Sequence, residues 1–319
     1  MNSESNAANI EPRCTPSQLA NQTMSKLRFI DAHHHLWDLN TCHYPWLMAK
    51  GEKRFFGDPT AIQKNYLAND FTGESATFRP EKSVHIQVGV ADKDIVKESE
   101  WLQGQTSFPH AIVAFADLSS SDMETQIAAQ LQFSKLRGIR QIIGRHTDED
   151  QLHGSNTLID NPNWLSGLKV LAKHQLSFDL QMIPPQMPAL LKTLKQVPEL
   201  NIALCHCGSP WDQTQQGLES WRAGLKSLAE LPNVSCKVSG LGMFNHNWTA
   251  NELRPIVLDT IDIFGIERVM FGSNFPVDKL YRSYDELWSA YAHITSAFSN
   301  WEREKLFLDN AQKFYHISD

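Results

Sequence analysis

Two histidines separated by a single residue could hold a reacting group between them. His33 and His35 lie at the end of an apolar run, and a β-strand directs residues i and i+2 to one face. Asp31 has the same parity and is expected on that face, while His34 is expected on the other. Imidazoles placed in this way can bind one divalent cation or take part in proton transfer. His206 ends another apolar run and is predicted to join them.

Other apolar runs also carry polar side chains at alternate positions. These side chains are His85, Gln87, Arg140, Asp179, Gln181, Lys237, Ser239 and Asn274. Burying a polar group without a partner costs about 1–3 kcal/mol, so these eight residues together need one explanation. A set of internal hydrogen bonds would explain one or two of these residues. A binding site for a polar small molecule explains them all, and the cations among them favour an anionic one.

The elements that must position these residues follow from the hydrophobic periodicity, in which short apolar runs alternate with longer amphipathic stretches. The predicted strands are residues 28–33, 83–90, 111–117, 137–143, 177–183, 201–207, 234–240 and 268–274. The predicted helices are residues 92–106, 121–134, 162–174, 186–196, 215–230, 249–264, 280–297 and 301–315. This alternation predicts an α/β fold of the TIM (β/α)8 barrel type, with the polar residues at the carboxyl ends of the strands. An open doubly wound sheet is the alternative, although no glycine-rich phosphate loop follows the first run.

The barrel is predicted to form one domain over residues 27–319, preceded by a leader or tail over residues 1–26. The leader is polar and lacks the apolar core of a signal peptide, and Met24 is a second candidate start. The first connection, residues 36–80, is long and rich in aromatic side chains. It is therefore predicted to arch over the mouth of the barrel, to seal one side of it, or to do both.

Composition and charge narrow the choice of partners. Hydrophobic residues make up 41% of the chain and charged residues 20%, as in an ordinary globular protein. The net charge of -7 disfavours nucleic acid and anionic membranes as partners. No segment approaches the roughly 18 apolar residues of a membrane span, and the five cysteines are irregularly spaced. These features predict a cytoplasmic protein with reduced thiols and a small-molecule substrate, and they leave a homo-oligomer open.

Four blocks of sequence resemble the amidohydrolase superfamily, and in particular its amidohydrolase 2 branch. They are Asp-Ala-His-His-His-Leu-Trp at 31–37, Leu-Arg-Gly-Ile-Arg-Gln at 136–141, Leu-Cys-His-Cys-Gly at 204–208 and Met-Phe-Gly-Ser-Asn-Phe-Pro at 270–276. That branch includes sugar lactonases similar to fuconolactonase, and 2-pyrone-4,6-dicarboxylate lactonase. The resemblance covers residues 27–316 and implies a TIM-barrel hydrolase that acts on a lactone or a related acyl bond.

By position, the resemblance implies that His33, His35 and His206 are metal ligands. Three imidazoles suit one divalent ion, zinc above others, with a water in the open position. The sequence lacks an evident bridging lysine on the fourth strand and a histidine on the fifth, so a two-metal centre is not expected. Some members of the branch work without metal, and metal-independent catalysis is therefore left open.

The main departure from the family pattern is Asn274, which stands where the family usually has an aspartate as ligand and base. A carboxamide cannot usefully accept a proton near neutral pH. Asp278 or Asp179 could supply the missing carboxylate. The alternative for Asp278 is a loop or helix-capping position, and the alternative for Asp179 is a salt bridge to Arg140 or Lys237.

The predicted function is the hydrolysis of a lactone of a small acidic or polyhydroxylated compound by an activated water. The predicted catalytic residues are His33, His35, His206, Asp179, Lys237 and Asn274. The predicted substrate-binding residues are Arg140, Gln87 and Gln181, with Trp37, Tyr44 and Trp46 as an apolar wall. Two alternatives are a metal-dependent decarboxylase of a cyclic acid on the same fold, and a barrel that binds a small molecule without turnover.

Overall fold

The computed structural model of the chain describes residues 27–147, 149–150 and 155–318, so the predicted leader over residues 1–26 lies outside the described part. The strands of this part are β1 (Ile30–His34), β2 (Lys82–Ile86), β3 (Ala111–Ala114), β4 (Leu136–Ile142), β5 (Ser177–Gln181), β6 (Ile202–Leu204), β7 (Val234–Val238) and β8 (Val269–Phe271). Its α-helices are α1 (Pro45–Met48), α2 (Ala68–Glu74), α3 (Ile95–Gln103), α4 (Met123–Gln130), α5 (Pro162–Lys173), α6 (Met187–Leu194), α7 (Gln215–Ala229), α8 (Ala250–Phe264), α9 (Tyr284–Ile294), α10 (Asn300–Glu304) and α11 (Asn310–Phe314). A π-helical turn over Lys305–Asp309 joins the last two helices.

The strands pair in the order of the chain, each parallel to the next, and form one eight-stranded sheet. Backbone hydrogen bonds at the carboxyl ends of β8 and β1 close the sheet into a ring. Asn274 N donates to His33 O at 2.6 Å, and His35 N donates to Phe275 O at 2.7 Å. The prediction of a TIM-type α/β barrel is therefore confirmed, and the open doubly wound sheet is wrong.

The helices pack around the ring and lie where the periodicity predicts them. The predicted helices 215–230 and 249–264 correspond to α7 and α8. Each begins after a threonine, Thr214 or Thr249, whose hydroxyl accepts a hydrogen bond from a backbone N–H of the first turn. Among the helices that the structure describes, none is both long and apolar enough to cross a membrane.

Several strands end earlier than predicted at their carboxyl ends. β6 ends at Leu204, so His206 lies in the connection that follows it. β8 ends at Phe271, so Asn274 also lies beyond its strand. Once strand pairing stops, the backbone can take the turns that aim such side chains across the mouth of the barrel.

The lower part of the barrel interior is apolar. Its inner cluster consists of Ile30, Ala32, Val84, Ile86, Ala111, Val113, Ala203 and Met270, closed from below by Leu308, Ala311, Tyr315 and Ile317. The expected inward position of His85 is therefore wrong, because Val84 and Ile86 face inward. His85 faces outward and accepts a hydrogen bond from Leu36 N at 3.1 Å.

A β-bulge in β1 sets the direction of the site histidines. The register with β2 shifts between Asp31 and His34, so that Ala32 and His33 both lie opposite Val84. Both residues therefore face the interior, Ala32 in the inner cluster and His33 above it. One extra residue reverses the parity of everything that follows it in the strand.

Asp31 shows the consequence of this reversal. It was predicted on the face of His33 and His35, but its carboxylate points outward toward α9. It accepts hydrogen bonds from the Tyr284 hydroxyl at 3.0 Å and from Ser273 N at 2.8 Å. Asp31 therefore braces the outside of the β1–β8 seam and does not enter the site.

Gly272 lies directly against His33 across this seam. A Cβ atom at position 272 would lie 2.6 Å from the His33 Cβ and 2.6 Å from its backbone N. We expect Gly272→Ala to lower the free energy of unfolding by about 2 kcal/mol, as overpacking does in protein cores. Urea denaturation measures the change. Gly73→Ala is the control, because a Cβ there meets nothing within 4 Å; equal losses in the two variants would contradict the packing argument.

Candidate active site

Three imidazole rings meet above the inner cluster, where the sequence predicts them. The ring centroids of His33 and His206 are 4.6 Å apart, and those of His33 and His35 are 5.1 Å apart. All three side chains are buried. The barrel thus brings together two residues of β1 and one that follows β6, which are separated by more than half of the chain.

The connection after β6 turns sharply to present its histidine. His206, Cys207 and Ser209 have φ angles of 56°, 53° and 57°, in the left-handed region that residues other than glycine seldom adopt. Trp221 Nε1 donates to Cys207 O at 2.7 Å and fixes the turn. Asn274, after β8, has a φ of 57°. Backbone strain of about 1–3 kcal/mol per residue is typical of positions that the surrounding structure holds for function.

Hydrogen bonds orient two of the imidazoles. His35 Nδ1 donates to Ile86 O at 2.7 Å, which leaves Nε2 without a proton in the neutral ring, and this Nε2 faces Asn274 Oδ1 at 3.2 Å. His206 Nδ1 is hydrogen-bonded to the Ser239 hydroxyl at 3.0 Å. The Nε2 atom of His206 is therefore the nitrogen that is available to a ligand, whereas the Nε2 atom of His35 already contacts Asn274.

All three imidazoles are neutral at neutral pH. Burial lowers the pKa of His35 to about 3 and lowers the pKa of His33 and His206 well below 6.5. The positive charges of Lys237 and Arg140 lower each pKa further. Within the described residues, neither ring nitrogen of His33 has a hydrogen-bond partner, so this ring keeps an unused capacity for a ligand.

Asn274 is held by a buried carboxyl group. Its Nδ2 donates to Asp278 Oδ2 at 2.7 Å, and Gly242 N donates to Asp278 Oδ1 at 2.9 Å. Burial raises the pKa of Asp278 to about 7, although these hydrogen bonds oppose the shift. Asp278 lies in the loop after β8, as its alternative interpretation predicted, and it reaches the site through Asn274.

A cavity of about 490 Å3 opens above the histidines. Among the predicted site residues, its wall contains His35, His206, Asn274, Arg140, Gln87, Gln181 and Trp46. Arg140 donates to Gln87 O at 3.0 Å and to Gln181 Oε1, which fixes the guanidinium against the wall. The volume falls in the range of small-molecule sites.

Asp179 and Lys237 lie beneath the cavity and are not part of its wall. The Lys237 ammonium pairs with Asp179 Oδ1, and the Tyr315 hydroxyl donates to the same oxygen at 2.8 Å. All three side chains are fully buried. The structure thus contains the salt bridge between Asp179 and Lys237, which is the alternative role given above for Asp179. The charges of these two side chains act on the cavity from beneath its wall.

The aromatic residues of the first connection divide between the cavity and the core. Trp46 lines the cavity together with Phe55 and Phe56. Trp37 and Tyr44 are fully buried and lie outside the wall. The segment therefore does both of the things predicted for it, since one part faces the cavity and another part packs beneath.

Two arginines of the cavity wall were not among the predicted site residues. Arg54 lies in the first connection, and Arg145 lies five residues after Arg140, beyond the end of β4. The sequence could have indicated Arg145 as a site residue, because residues just past the carboxyl end of a barrel strand face the mouth of the barrel. Arg54 has no such signal, because its connection has no regular periodicity.

The site histidines do not form a zinc site as they stand. Within the described residues, no group of three or more His, Cys, Asp or Glu side chains is arranged to hold a metal ion. Asn274 replaces the carboxylate that the resemblance implies as a ligand, and the charges of Lys237 and Arg140 act on the imidazoles. The groups of this chain are therefore the candidates for activating a water, and the zinc ion stays a prediction.

Comparisons with known proteins agree with the geometry. The family model described as amidohydrolase matches residues 30–317. An uncharacterised protein of Sinorhizobium fredii is 43% identical, over 92% of this chain and all of the relative. An L-fucono-1,5-lactonase of Burkholderia ambifaria is 27% identical, over 90% of this chain and 95% of the relative. The crystal structure of a Burkholderia multivorans amidohydrolase with bound zinc superposes with a TM-score of 0.77 at 26% identity, over 91% of this chain and all of that one.

The buried neutral histidines predict a loss of stability in acid. Burial lowers the pKa of His34, which stacks on Phe71 outside the cavity, to about 3. Below pH 6.5 the unfolded chain binds protons that the native state does not, so stability falls with pH. We expect the free energy of unfolding to fall by up to about 1.4 kcal/mol per pH unit for each such histidine.

Thermal unfolding between pH 4 and 7 measures the slope of the free energy of unfolding against pH. The His34→Gln variant removes one of the histidines without changing the cavity, and its slope should be shallower than that of the unchanged protein. Buried carboxyl groups with a raised pKa act in the opposite sense in both proteins, so the difference isolates His34. Identical slopes would contradict the argument.

Proposed function

The chain belongs to the amidohydrolase family, and from that premise we propose that it hydrolyses a lactone, the cyclic ester of a small hydroxy acid. The observation that carries the proposal is a neutral imidazole, His206, which lines the cavity, is oriented by Ser239 and lies beside the imidazole of His33. The lactonases among the relatives, at 27% identity, support the reaction class.

In the proposed reaction a water bound beside His206 attacks the ring carbonyl carbon. A C–O bond forms as the carbonyl π electrons move to oxygen, and His206 Nε2 accepts one proton of the water. Collapse of the tetrahedral intermediate breaks the ring C–O bond, and the same proton passes to the leaving alkoxide. The product is an open hydroxy acid, which releases a proton to solvent at neutral pH.

The buried cations supply the stabilisation that this reaction needs. Lys237 and Arg140 both lower the pKa of His33, so their field reaches the space above the imidazoles. The same field favours the negative oxygen of a tetrahedral intermediate. Gln87 and Gln181 lie on the wall and can orient hydroxyl groups of the ring, while Trp46 offers an apolar face.

A panel of lactones tests the proposal directly. Five- and six-membered aldonolactones, followed with a pH indicator, are expected to release acid well above the buffer rate. Aromatic and cyclic carboxylic acids, followed by CO2 detection, are expected to give none. Dialysis against a chelator is expected to leave turnover within about twofold, and recovery of lost activity by Zn2+ would instead support the predicted zinc site.

Asn274 favours one alternative function, a barrel that binds a small molecule without turnover, because it stands where the family resemblance implies a carboxylate. A barrel that only binds its ligand would be thermally stabilised by a lactone without hydrolysing it. That result, with no acid release across the panel, would overturn the proposed activity. Release of CO2 from a cyclic acid would instead favour the decarboxylase.

His206 is expected to be the residue whose loss matters most. Replacing a general base typically lowers kcat about 100-fold or more, so His206→Asn should do so, whereas His174→Asn, on the exposed side of the barrel, should not. Because the base must be unprotonated and burial lowers its pKa well below 6.5, kcat/KM should stay level from pH 8 down to 6. A His206→Asn variant with wild-type turnover, or a profile that falls near pH 6.5, would remove His206 from this role.

A further inference from the structure

Asn274 and His35 meet with two hydrogen-bond acceptors face to face. Ile86 O holds the single proton of the neutral His35 ring on Nδ1, at 2.7 Å, so His35 Nε2 carries a lone pair. Asn274 Oδ1, which accepts hydrogen bonds and cannot donate one, lies 3.2 Å from that Nε2. Both side chains are buried. Facing lone pairs repel each other, and a buried polar contact of this kind needs an explanation.

A half-turn of the Asn274 carboxamide removes this conflict. The amide oxygen and nitrogen exchange places, while the outline of the side chain stays the same. Nδ2 would then donate to His35 Nε2 across the same gap of 3.2 Å. On its other side, Oδ1 would lie against Asp278 Oδ2, over the 2.7 Å that otherwise separates Nδ2 from that oxygen. Two oxygens at this distance need a proton between them, and the distance is typical of an O–H···O bond.

Asp278 is suited to carry that proton. Its side chain is buried, and within the described residues no cation pairs with it. Burial raises the pKa of Asp278 to about 7, although the hydrogen bonds from Asn274 Nδ2 and Gly242 N oppose the shift. After the half-turn the amide accepts from the acid instead of donating to it, so this bond favours the protonated form and raises the pKa further. Gly242 N still donates to Oδ1, the carbonyl oxygen of the acid, at 2.9 Å.

The backbone keeps the two side chains together. Val277 N and Asp278 N both donate to Asn274 O, at 2.9 and 3.3 Å, and this turn sets the carboxyl group against the carboxamide. Asn274 N donates to His33 O at 2.6 Å across the seam of the barrel. The carboxamide is thus held between the carboxyl group and the His35 ring, and rotation about its last bond decides which end faces which.

We propose that Asn274 is a catalytic hydrogen-bond donor to the reacting oxygen, and that protonated Asp278 is the positioning residue that holds it as a donor. The inference rests on the proposed lactone hydrolysis and adds these two roles to it. The carboxamide nitrogen carries two hydrogens. One bonds to His35 Nε2, and the other is left for a substrate, since Asn274 lies in the wall of the cavity with His206.

The second N–H of Asn274 donates to the carbonyl oxygen of the lactone, which becomes negative as the water adds. No proton leaves Asn274 or Asp278 during the reaction, because His206 accepts the proton of the water and returns it to the leaving alkoxide. A carboxylate at position 274 would repel that negative oxygen. The exchange of carboxylate for carboxamide therefore turns this position from a base into an oxyanion donor and leaves proton transfer to His206.

The Asn274→Asp variant tests the catalytic role, because it restores the carboxylate that the family resemblance implies. Loss of one oxyanion donor typically lowers kcat about 100-fold or more, so kcat for the lactone that the unchanged enzyme hydrolyses should fall by that factor. The donor acts in the transition state, so KM should change by less than about threefold. Asn247→Asp, exposed between β7 and α8, is the matched control and should keep both constants. A kcat of Asn274→Asp equal to or above that of the unchanged enzyme would overturn the inference.

Two variants of Asp278 test the positioning role. Asp278→Asn keeps a donor towards Asn274 Oδ1 and an acceptor towards Gly242 N, as the protonated acid has, whereas Asp278→Ala keeps neither. We expect Asp278→Ala to lower kcat at least about tenfold with KM within about threefold, and Asp278→Asn to recover most of that loss. An equal loss in the two variants would show that a carboxylate is needed, and an unchanged kcat in Asp278→Ala would show that nothing is. Either result removes the inference while lactone hydrolysis still stands.

Infrared spectroscopy tests the proton on Asp278 without any turnover. A protonated carboxyl group has a C=O stretching band that a carboxylate lacks. The spectrum of the unchanged protein minus that of Asp278→Asn, at about pH 7.5, should contain this band. The buried Glu98, whose pKa burial raises to about 8, is the same in both proteins and cancels.

This measurement separates the inference from the proposed activity. If no lactone is hydrolysed, the proposed function fails, and a band from Asp278 still supports the arrangement that makes Asn274 a donor. Absence of the band would overturn the inference even if lactones are hydrolysed.

Discussion

Closure of the strand ring between β8 and β1 is the constraint on which the site depends. Two backbone hydrogen bonds make this seam, and they join Asn274 to His33 and Phe275 to His35. Both bonds are buried, where a hydrogen bond is electrostatically stronger and an unpaired group is costly. The same few atoms therefore complete the barrel and set the relative positions of the candidate site residues. No local interaction could do this, because the two strands lie at opposite ends of the domain.

The barrel interior has an electrostatic character that the chain as a whole does not share. The net charge is -7, yet the interior holds Lys237 and Arg140 close to three histidines. Lys237 is paired with Asp179, whose carboxylate also accepts a hydrogen bond from the Tyr315 hydroxyl. Burial first, and these positive charges second, lower the pKa of the three histidines, so the imidazoles are bases and not cations at neutral pH. A reaction that develops negative charge on oxygen meets a positive field that is already in place.

The fold and much of the candidate site could be predicted from the sequence, for a physical reason. The hydrophobic period differs between strands and helices, so it identifies the elements of the barrel. Polar residues in strands that are buried on both sides need a shared explanation, and this need indicates that His35, His206 and Arg140 converge on one site. The strict alternation that placed Asp31 with the histidines failed, because a bulge is a change of register that leaves no mark on composition. Arg54 was missed because its connection has no period, so its position is set by tertiary packing alone.

The floor of the barrel links the site to the order in which the protein is made. Tyr315 seals the lower end and bonds to Asp179, which pairs with Lys237. On the ribosome, the strand that bears His33 emerges first and the segment that bears Tyr315 emerges much later. A nascent chain that still lacks this segment leaves the lysine–aspartate pair open to water, where its field is screened. The polar interior therefore reaches its working state only when late-emerging residues dock beneath it.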